Sequence, residues 1–378
     1  MSRARLAAAL VALTLAAGGC GSSPTFTVRS ERARRPGPAP ELSGPFLRVL
    51  HLADFGDGTD QQREVARAVS SAHRRSPFAL ALFPGDDVYP CGPSTTVPGA
   101  SSCAFGADGN TLAPGFAAPA DPGFARHEGP LSTLAGAPAA EVYLALGNHD
   151  VASGGSCSQG GDPVAEGRLK ACLEVAHRSP LWQMPARHYA LDRGAARFLV
   201  VDTNLVKGAY GGFALDDEVA FVREEAPGCR ADACDAEPGG CDKPWCFLVG
   251  HHPPVTAGGH RTDATPDYLA RMDRLLAAGG GRVRAFLAGH DHDLQHLRAP
   301  SGLDVLVSGN GARGRPSERF DTASVPGTEV IFASVRWGFG VLEVARAGWR
   351  YRFEDDGGAP LYCCAAVGAG RCEPVACP

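Results

Sequence analysis

Five short blocks follow one another along the chain, each directly after an apolar run that reads as a β-strand. They are Asp54-Phe55-Gly56-Asp57, Gly85-Asp86-Asp87-Val88-Tyr89, Gly147-Asn148-His149-Asp150, Gly250-His251-His252-Pro253 and Gly289-His290-Asp291-His292. Any fold for this chain must explain why oxygen and imidazole donors sit at five strand ends. The blocks offer seven donors: Asp54, Asp86, Tyr89, Asn148, His251, His290 and His292. About four to six donors fill one first-row metal. Seven suit two ions sharing one carboxylate, an arrangement fitted to phosphate-ester hydrolysis.

Taken singly, each block has an ordinary reading. An Asp after a strand and a glycine is a turn residue, His-x-His is a surface loop, and Asn-His-Asp is a polar turn. Their company changes the reading. Asp86 is the predicted bridge, one oxygen to each ion, holding them about 3.5–4 Å apart. His290 and His292 fall on one side of an extended segment, because side chains alternate there. Asn148 supplies a neutral carbonyl oxygen. His149 is left to contact a phosphate oxygen, and Asp150 is expected to orient its imidazole.

The pattern between the blocks predicts an α/β sandwich. Strands are expected at 46–53, 78–83, 141–146, 197–201, 245–249, 284–287, 304–307, 330–335 and 339–344. Helices are expected at 60–75, 165–178, 217–225 and 268–278, with loops at 90–125 and 151–164. Catalytic groups at the carboxyl ends of strands are where open α/β sheets place ligands.

The first residues read as a targeting segment. Arg3 and Arg5 precede the apolar run 6–17, and Ala17-Gly18-Gly19-Cys20 resembles a bacterial lipoprotein signal. Cys20 is then the lipidated residue, with plain secretion as the other reading. The run is shorter than the ~20 residues of a membrane span. The chain has 13 cysteines, so setting Cys20 aside leaves 12, an even number as a disulfide framework requires. They cluster in sequence at 91/103, 157/172, 229–246 and 363–377, and the 229–246 group has a structural zinc site as its rival reading. Residues 1–20 are expected to be a signal peptide, 21–44 a Pro-rich tether, 45–356 the enzyme domain and 357–378 a cysteine-rich tail. A net charge of −5 argues against a nucleic-acid binder. The expected partners are a small phosphorylated substrate and, through the lipid, a membrane.

The order Asp, Gly-Asp, Gly-Asn-His, His, Gly-His-x-His resembles the metallophosphoesterase pattern of the calcineurin-like superfamily. Gly56 stands where most members have histidine, and Tyr89 lies three residues after Asp86. Purple acid phosphatases show that same exchange. Segments 286–297, 182–185 before Tyr189, and 199–203 resemble the small tartrate-resistant type, and the likeness covers roughly residues 46–345.

The resemblance implies a four-layer αββα sandwich of two mixed β-sheets flanked by helices. It implies Fe(III) held by Asp54, Tyr89 and His292, and Fe(II), Zn(II) or Mn(II) held by Asn148, His251 and His290, with Asp86 between. A hard phenolate oxygen suits trivalent iron on its own chemistry. The implied reaction is attack of metal-activated water on a phosphate monoester. His149 contacts the phosphate, and His260 protonates the leaving group with His252 as its rival. A phosphodiesterase or nucleotidase, or a non-catalytic binding lipoprotein, are the alternatives. Asp87 departs from the asparagine usual in the family, and His252 from the usual tyrosine.

Overall fold

The computed structural model describes residues 27–29, 37–40, 46–229, 244–316, 319–320, 323–368 and 370–377. Cys20, Cys234 and Cys241 lie outside the described residues.

The strand Trp245–Val249 shows how the layers arise. Its side chains alternate between two cores: Trp245, Phe247 and Val249 enter one apolar cluster, Cys246 and Leu248 the other. Period-two alternation with both faces apolar is the mark of a strand covered on both sides. The first sheet contains, in spatial order, β1 (Thr27–Arg29), β11 (Glu329–Ser334), β9 (Leu294–Arg298), β10 (Asp304–Ser308), β8 (Val283–Ala288), β7 (Trp245–Val249), β6 (Ala196–Val200) and β5 (Tyr189–Arg193). The second contains β15 (Glu373–Pro374), β14 (Pro360–Val367), β13 (Gly348–Asp355), β12 (Gly338–Ala345), β2 (Leu47–His51), β3 (Leu80–Phe83) and β4 (Glu141–Leu144). Each sheet is mixed. Strands β2, β3 and β4 run parallel, as do β6, β7, β8 and β10.

The helices complete an α/β sandwich. Val65, Ala68, Val69 and Ala72 of α1 (Asp60–Arg75) join the larger core. Thr59 caps that helix by accepting from the Gln62 N–H at 3.1 Å. Val219 and Val222 of α5 (Leu215–Glu225) and Tyr268, Met272 and Leu275 of α6 (Pro266–Ala278) cover the outer face of the first sheet. The helix α3 (Pro163–Ala176) starts two residues earlier than its periodicity suggests, because Asp162 caps it and Pro163 opens it.

Several expectations are corrected. The loop 90–125 ends in a helix, α2 (Pro122–Glu128), started by Asp121 and Pro122. The tail is not an appendix. Residues 360–367 are a strand paired along β13, and Cys364 and Tyr362 are buried in the core. The segment 21–44 is not simply a tether, since Thr27–Arg29 pairs antiparallel with the open edge of β11 and Gly37 bridges Val375. An unpaired strand edge is a ready template for such pairing.

The cysteines bond across loops rather than to sequence neighbours. Cys91–Cys157 and Cys103–Cys172 tie the 90–103 loop to the 157–172 segment, while Cys229–Cys246, Cys363–Cys377 and Cys364–Cys372 close shorter loops. Disulfides on this scale are typical of proteins in an oxidising compartment. Among the described residues no helix is long and apolar enough to cross a membrane.

One buried cation braces the first sheet. Arg187 is 1% exposed and lies 3.0 Å from Asp202 and 3.1 Å from Glu218. Arg187→Ala would leave two buried carboxylates facing each other. We expect a loss of roughly 3–5 kcal/mol in urea unfolding. A loss under about 1 kcal/mol would show that the pair carries no net burial penalty.

Candidate metal centre

The five blocks meet at the carboxyl ends of the parallel strands of both sheets. Asp54 follows β2, Asp86 follows β3, Asn148 follows β4, His251 follows β7 and His290 follows β8. Among the described residues, the non-glycine residues with left-handed φ are Asp54 at 56°, Asp86 at 58° and His290 at 72°. All three are predicted ligands. Such backbone is strained for a side chain, and strain of this kind collects at functional sites.

Close packing explains the glycines in the blocks. A Cβ on Gly147 would lie 2.2 Å from the Asp86 nitrogen, and one on Gly289 would lie 2.4 Å from the Ala53 Cβ. A Cβ at Gly56 would lie 1.6 Å from the Asp87 carbonyl oxygen, so no histidine fits there without moving that loop.

The donors form two groups about Asp86, which is 1% exposed. On one side the Tyr89 hydroxyl donates to Asp86 Oδ2 at 2.9 Å and to Asp54 Oδ1 at 3.0 Å. His292 Nε2 lies 3.5 Å from both Tyr89 Oη and Asp54 Oδ1. On the other side His251 Nε2 lies 3.4 Å from Asp86 Oδ1, 3.1 Å from Asn148 Oδ1 and 3.2 Å from His290 Nδ1. The two oxygens of Asp86 thus face different donor groups, as a bridging carboxylate does.

Outer partners fix the tautomers. His251 Nδ1 meets the Pro84 carbonyl at 2.9 Å, which leaves Nε2 with its lone pair inward. His290 Nε2 lies 3.0 Å from Asp263, which leaves Nδ1 as its donor.

The electrostatics fit a centre that takes cations. Burial raises the Asp86 carboxyl, but His251 beside it outweighs that and holds it well below the usual carboxylate range. Burial lowers His251 while Asp86 lifts it, to about 9 overall. Burial, Asp54 and Asp86 push the Tyr89 phenol well up. Burial and then His251 push His290 well down.

The structure revises three assignments. Asp150 does not orient His149. Its oxygens accept four backbone N–H groups, from Gly147 (2.7 Å) and Asp86 (2.9 Å) on one side, and Asp87 (2.8 Å) and Val88 (2.9 Å) on the other. It holds the Asp86 loop instead. His149 Nδ1 meets the Pro90 carbonyl at 2.5 Å, its Nε2 lies 3.9 Å from Asp86 Oδ2, and its side chain is 30% exposed above the donors.

His252 is no substrate contact, being 1% exposed with Nδ1 held 3.0 Å from Thr203. One ring nitrogen of His252 instead lies within 4.8 Å of one on His251 and one on His290, which makes it a further candidate ligand. His260 is placed at the rim, its ring 4.0 Å from that of His290. Its Nε2 accepts from Arg315 at 2.6 Å and its Nδ1 faces Asp263 at 3.3 Å. A guanidinium only donates, so the His260 proton sits on Nδ1 and Nε2 has none to give a leaving group.

Residues other than the predicted ligands complete the site. Asn204 donates to the Gly147 carbonyl at 3.2 Å, and Asp291 accepts the His260 N–H at 2.8 Å. Arg313 lies 4.0 Å over the Tyr89 ring and pairs with Asp57 at 3.0 Å. Asp291 sits inside a block read from the sequence and Asn204 directly follows the 199–203 stretch, whereas Arg313 becomes a neighbour only through the fold. Behind Asp86, Asp87, Asp150 and Glu174 offer one oxygen each within 4.8 Å of one another. His127 is fully buried 3.5 Å from Asp87.

A calcineurin-like phosphoesterase family model matches residues 47–294. The chain is 26% identical over 176 residues to purple acid phosphatase 7 of Arabidopsis thaliana, covering 45% of this chain and 48% of that one. It is 24% identical over 188 residues to tartrate-resistant acid phosphatase type 5 of Rattus norvegicus, covering 47% and 50%. The chain spans about half the length of these curated relatives. In fold it is similar to GAP50, the anchor in the inner membrane complex of Plasmodium (TM-score 0.59, 14% identity, 87% and 90% covered). It is also similar to the purple acid phosphatase PPD1 of yellow lupin (TM-score 0.57, 14% identity, 86% and 54% covered). These matches bear out the four-layer sandwich of two mixed sheets.

Asp87 generates a pH prediction. Burial, then Asp150, Asp86 and Asp54, raise its carboxyl well above the ordinary range. Unfolded, the group loses its proton near pH ~4. Its contribution to stability is therefore full below about pH 4 and is lost as pH rises through the higher folded value. In the metal-free protein, Asp87→Asn should flatten the fall in urea midpoint between about pH 4 and 8. Parallel curves for the two proteins would mean that Asp87 is not the source of that slope.

Proposed function

Because the chain belongs to the calcineurin-like phosphoesterase family, we propose that it is an exported phosphomonoesterase working through two metal ions. In this reading Asp54, Tyr89 and His292 hold the first ion, Fe(III). Asn148, His251 and His290 hold the second, Fe(II), Zn(II) or Mn(II), and Asp86 is shared. The single observation that carries it is Asp86, with Oδ2 at 2.9 Å from Tyr89 and Oδ1 at 3.4 Å from His251.

Ions held there supply Lewis-acid charge and a water acidified for attack on phosphorus. The protein's own groups do the rest. The Pro90 carbonyl keeps the His149 proton on Nδ1 and turns Nε2 toward the substrate space. When protonated there, His149 donates to a phosphate oxygen and counters its growing charge. The N–H of His149 also donates to Asp86 Oδ1 at 2.8 Å, so substrate contact and bridge share one turn. Thr203 and Asp263 hold His252 and His290 in direction.

Purified oxidised protein should carry two ions and absorb visible light through a phenolate on iron. Tyr89→Phe should abolish that band. Asp86→Ala should lose at least one ion and several orders of magnitude in turnover of phosphate monoesters. A colourless active enzyme holding only zinc or manganese would remove iron from the proposal. Two retained ions with near-normal turnover in Asp86→Ala would remove the bridge.

Export is read from the disulfides, and anchoring from the sequence around Cys20. A diacylglyceryl group with a further acyl chain anchors stably, each buried CH₂ contributing ~0.8 kcal/mol. Cys20→Ser should shift the protein out of the membrane fraction or block its maturation. An unmodified mature N-terminus beyond residue 20, found by mass spectrometry, would mean simple secretion.

A further inference from the structure

Two arginines reach the rim of the donor cluster from one short segment. That segment is pressed against the first block. A Cβ on Gly309 would lie 2.7 Å from Asp54 Oδ2, and one on Gly311 would lie 2.5 Å from the Ala53 carbonyl oxygen. Two residues on, Arg313 stacks on Tyr89, its guanidinium carbon 4.0 Å from the ring centre. Gly314 packs flat on Trp337, where a Cβ would lie 2.7 Å from the indole. Arg315 then turns to the other side of the cluster and donates to His260 Nε2 at 2.6 Å. It lies so close to Gly259 that a Cβ there would be 2.2 Å from Nη1. The position of Arg315 is therefore built by two glycines and a tryptophan.

The charges around the two arginines differ. Asp57 pairs with Arg313 at 3.0 and 3.2 Å. Arg315 has no carboxylate partner among the described residues, and its Nε is buried with no acceptor. The carboxylate on the far side of His260, Asp263, is already paired with Lys207 at 2.6 Å. A guanidinium held by one imidazole nitrogen, with further donors left in a fixed fork, matches a phosphoryl or carboxylate group. The His260 ring lies 4.0 Å from that of the predicted ligand His290. Arg315 therefore stands one side chain, that of His260, away from a predicted ligand.

We infer that Arg315 forms an anion subsite beside the metal centre, with Arg313 adding positive charge across it, and that it binds a second phosphoryl group of a compact substrate. The inference rests on the phosphoesterase reading for the position of the first phosphate. It selects small bisphosphorylated compounds over simple alkyl phosphates.

Propylphosphonate and propane-1,3-bisphosphonate differ in the second phosphoryl group and contain no ester bond to cleave. Calorimetry on the metal-loaded protein, at unchanged metal content, should show the bisphosphonate bound about tenfold to a hundredfold more tightly. R315M should bring the two affinities together. G259A, which displaces the guanidinium without changing charge, should do the same and decides the matter if R315M fails to fold. Equal affinities in the parent protein would overturn the subsite. So would an undiminished preference in an R315M protein that melts at the parent's temperature. Cleavage of propyl phosphate is followed in parallel. Its absence with two ions bound would overturn the phosphoesterase reading, while the affinity ratio still decides the subsite.

Discussion

Everything at the strand ends is organised by the burial of two carboxylates, Asp54 and Asp86, against one phenol. Their oxygens both accept from Tyr89 at about 3 Å. Negative groups this close repel strongly in a medium of low dielectric. The surrounding protein answers with backbone N–H groups: His290 donates to Asp54 and His149 to Asp86, each at 2.8 Å. Those bonds require left-handed backbone at Asp54, Asp86 and His290, which in turn requires adjacent glycines so that the loops can touch. Donor geometry, backbone strain and glycine placement are one linked requirement, and cations held there would relieve the part of it that hydrogen bonds cannot.

A second tier of polar groups keeps that arrangement in register. Asp150 gathers four N–H groups of the Gly147 and Asp86 turns, joining the ends of β3 and β4. Asn204 and Thr203 reach from the end of β6 to Gly147 and His252. Asp291 holds the 256–260 loop through the Thr256 hydroxyl and the His260 N–H. The two sheets thus meet through side-chain-to-backbone bonds near the site as well as through their apolar faces.

Local pattern made much of this visible beforehand. A strand, a glycine and a donor follow directly in sequence, so the five blocks and their strands could be read to within a few residues. Helix α1 was found at its observed ends from the helical spacing of Val65, Ala68, Val69 and Ala72. What escaped depends on distance in sequence. The strands 348–355 and 360–367 were missed, the second because its cysteines suggested a separate tail, while β13 pairs with β12 and β14 with β13. Asp150 was given the wrong partner because the N–H groups it accepts from lie up to 64 residues away. Arg315 meets His260 across 55 residues with no motif to announce it.

The Cys91–Cys157 bond has a bearing on how the mouth behaves. It fastens the turn after Tyr89 to the loop after His149, two segments that already touch where His149 Nδ1 meets the Pro90 carbonyl. Lys170, buried and paired with Glu166 at 2.8 Å, donates to the Ala152 and Cys157 carbonyls and pins the same loop from below. The two segments are thereby held as one piece, so this wall beside the donors is a fixed part of the site rather than a flap that could move on its own.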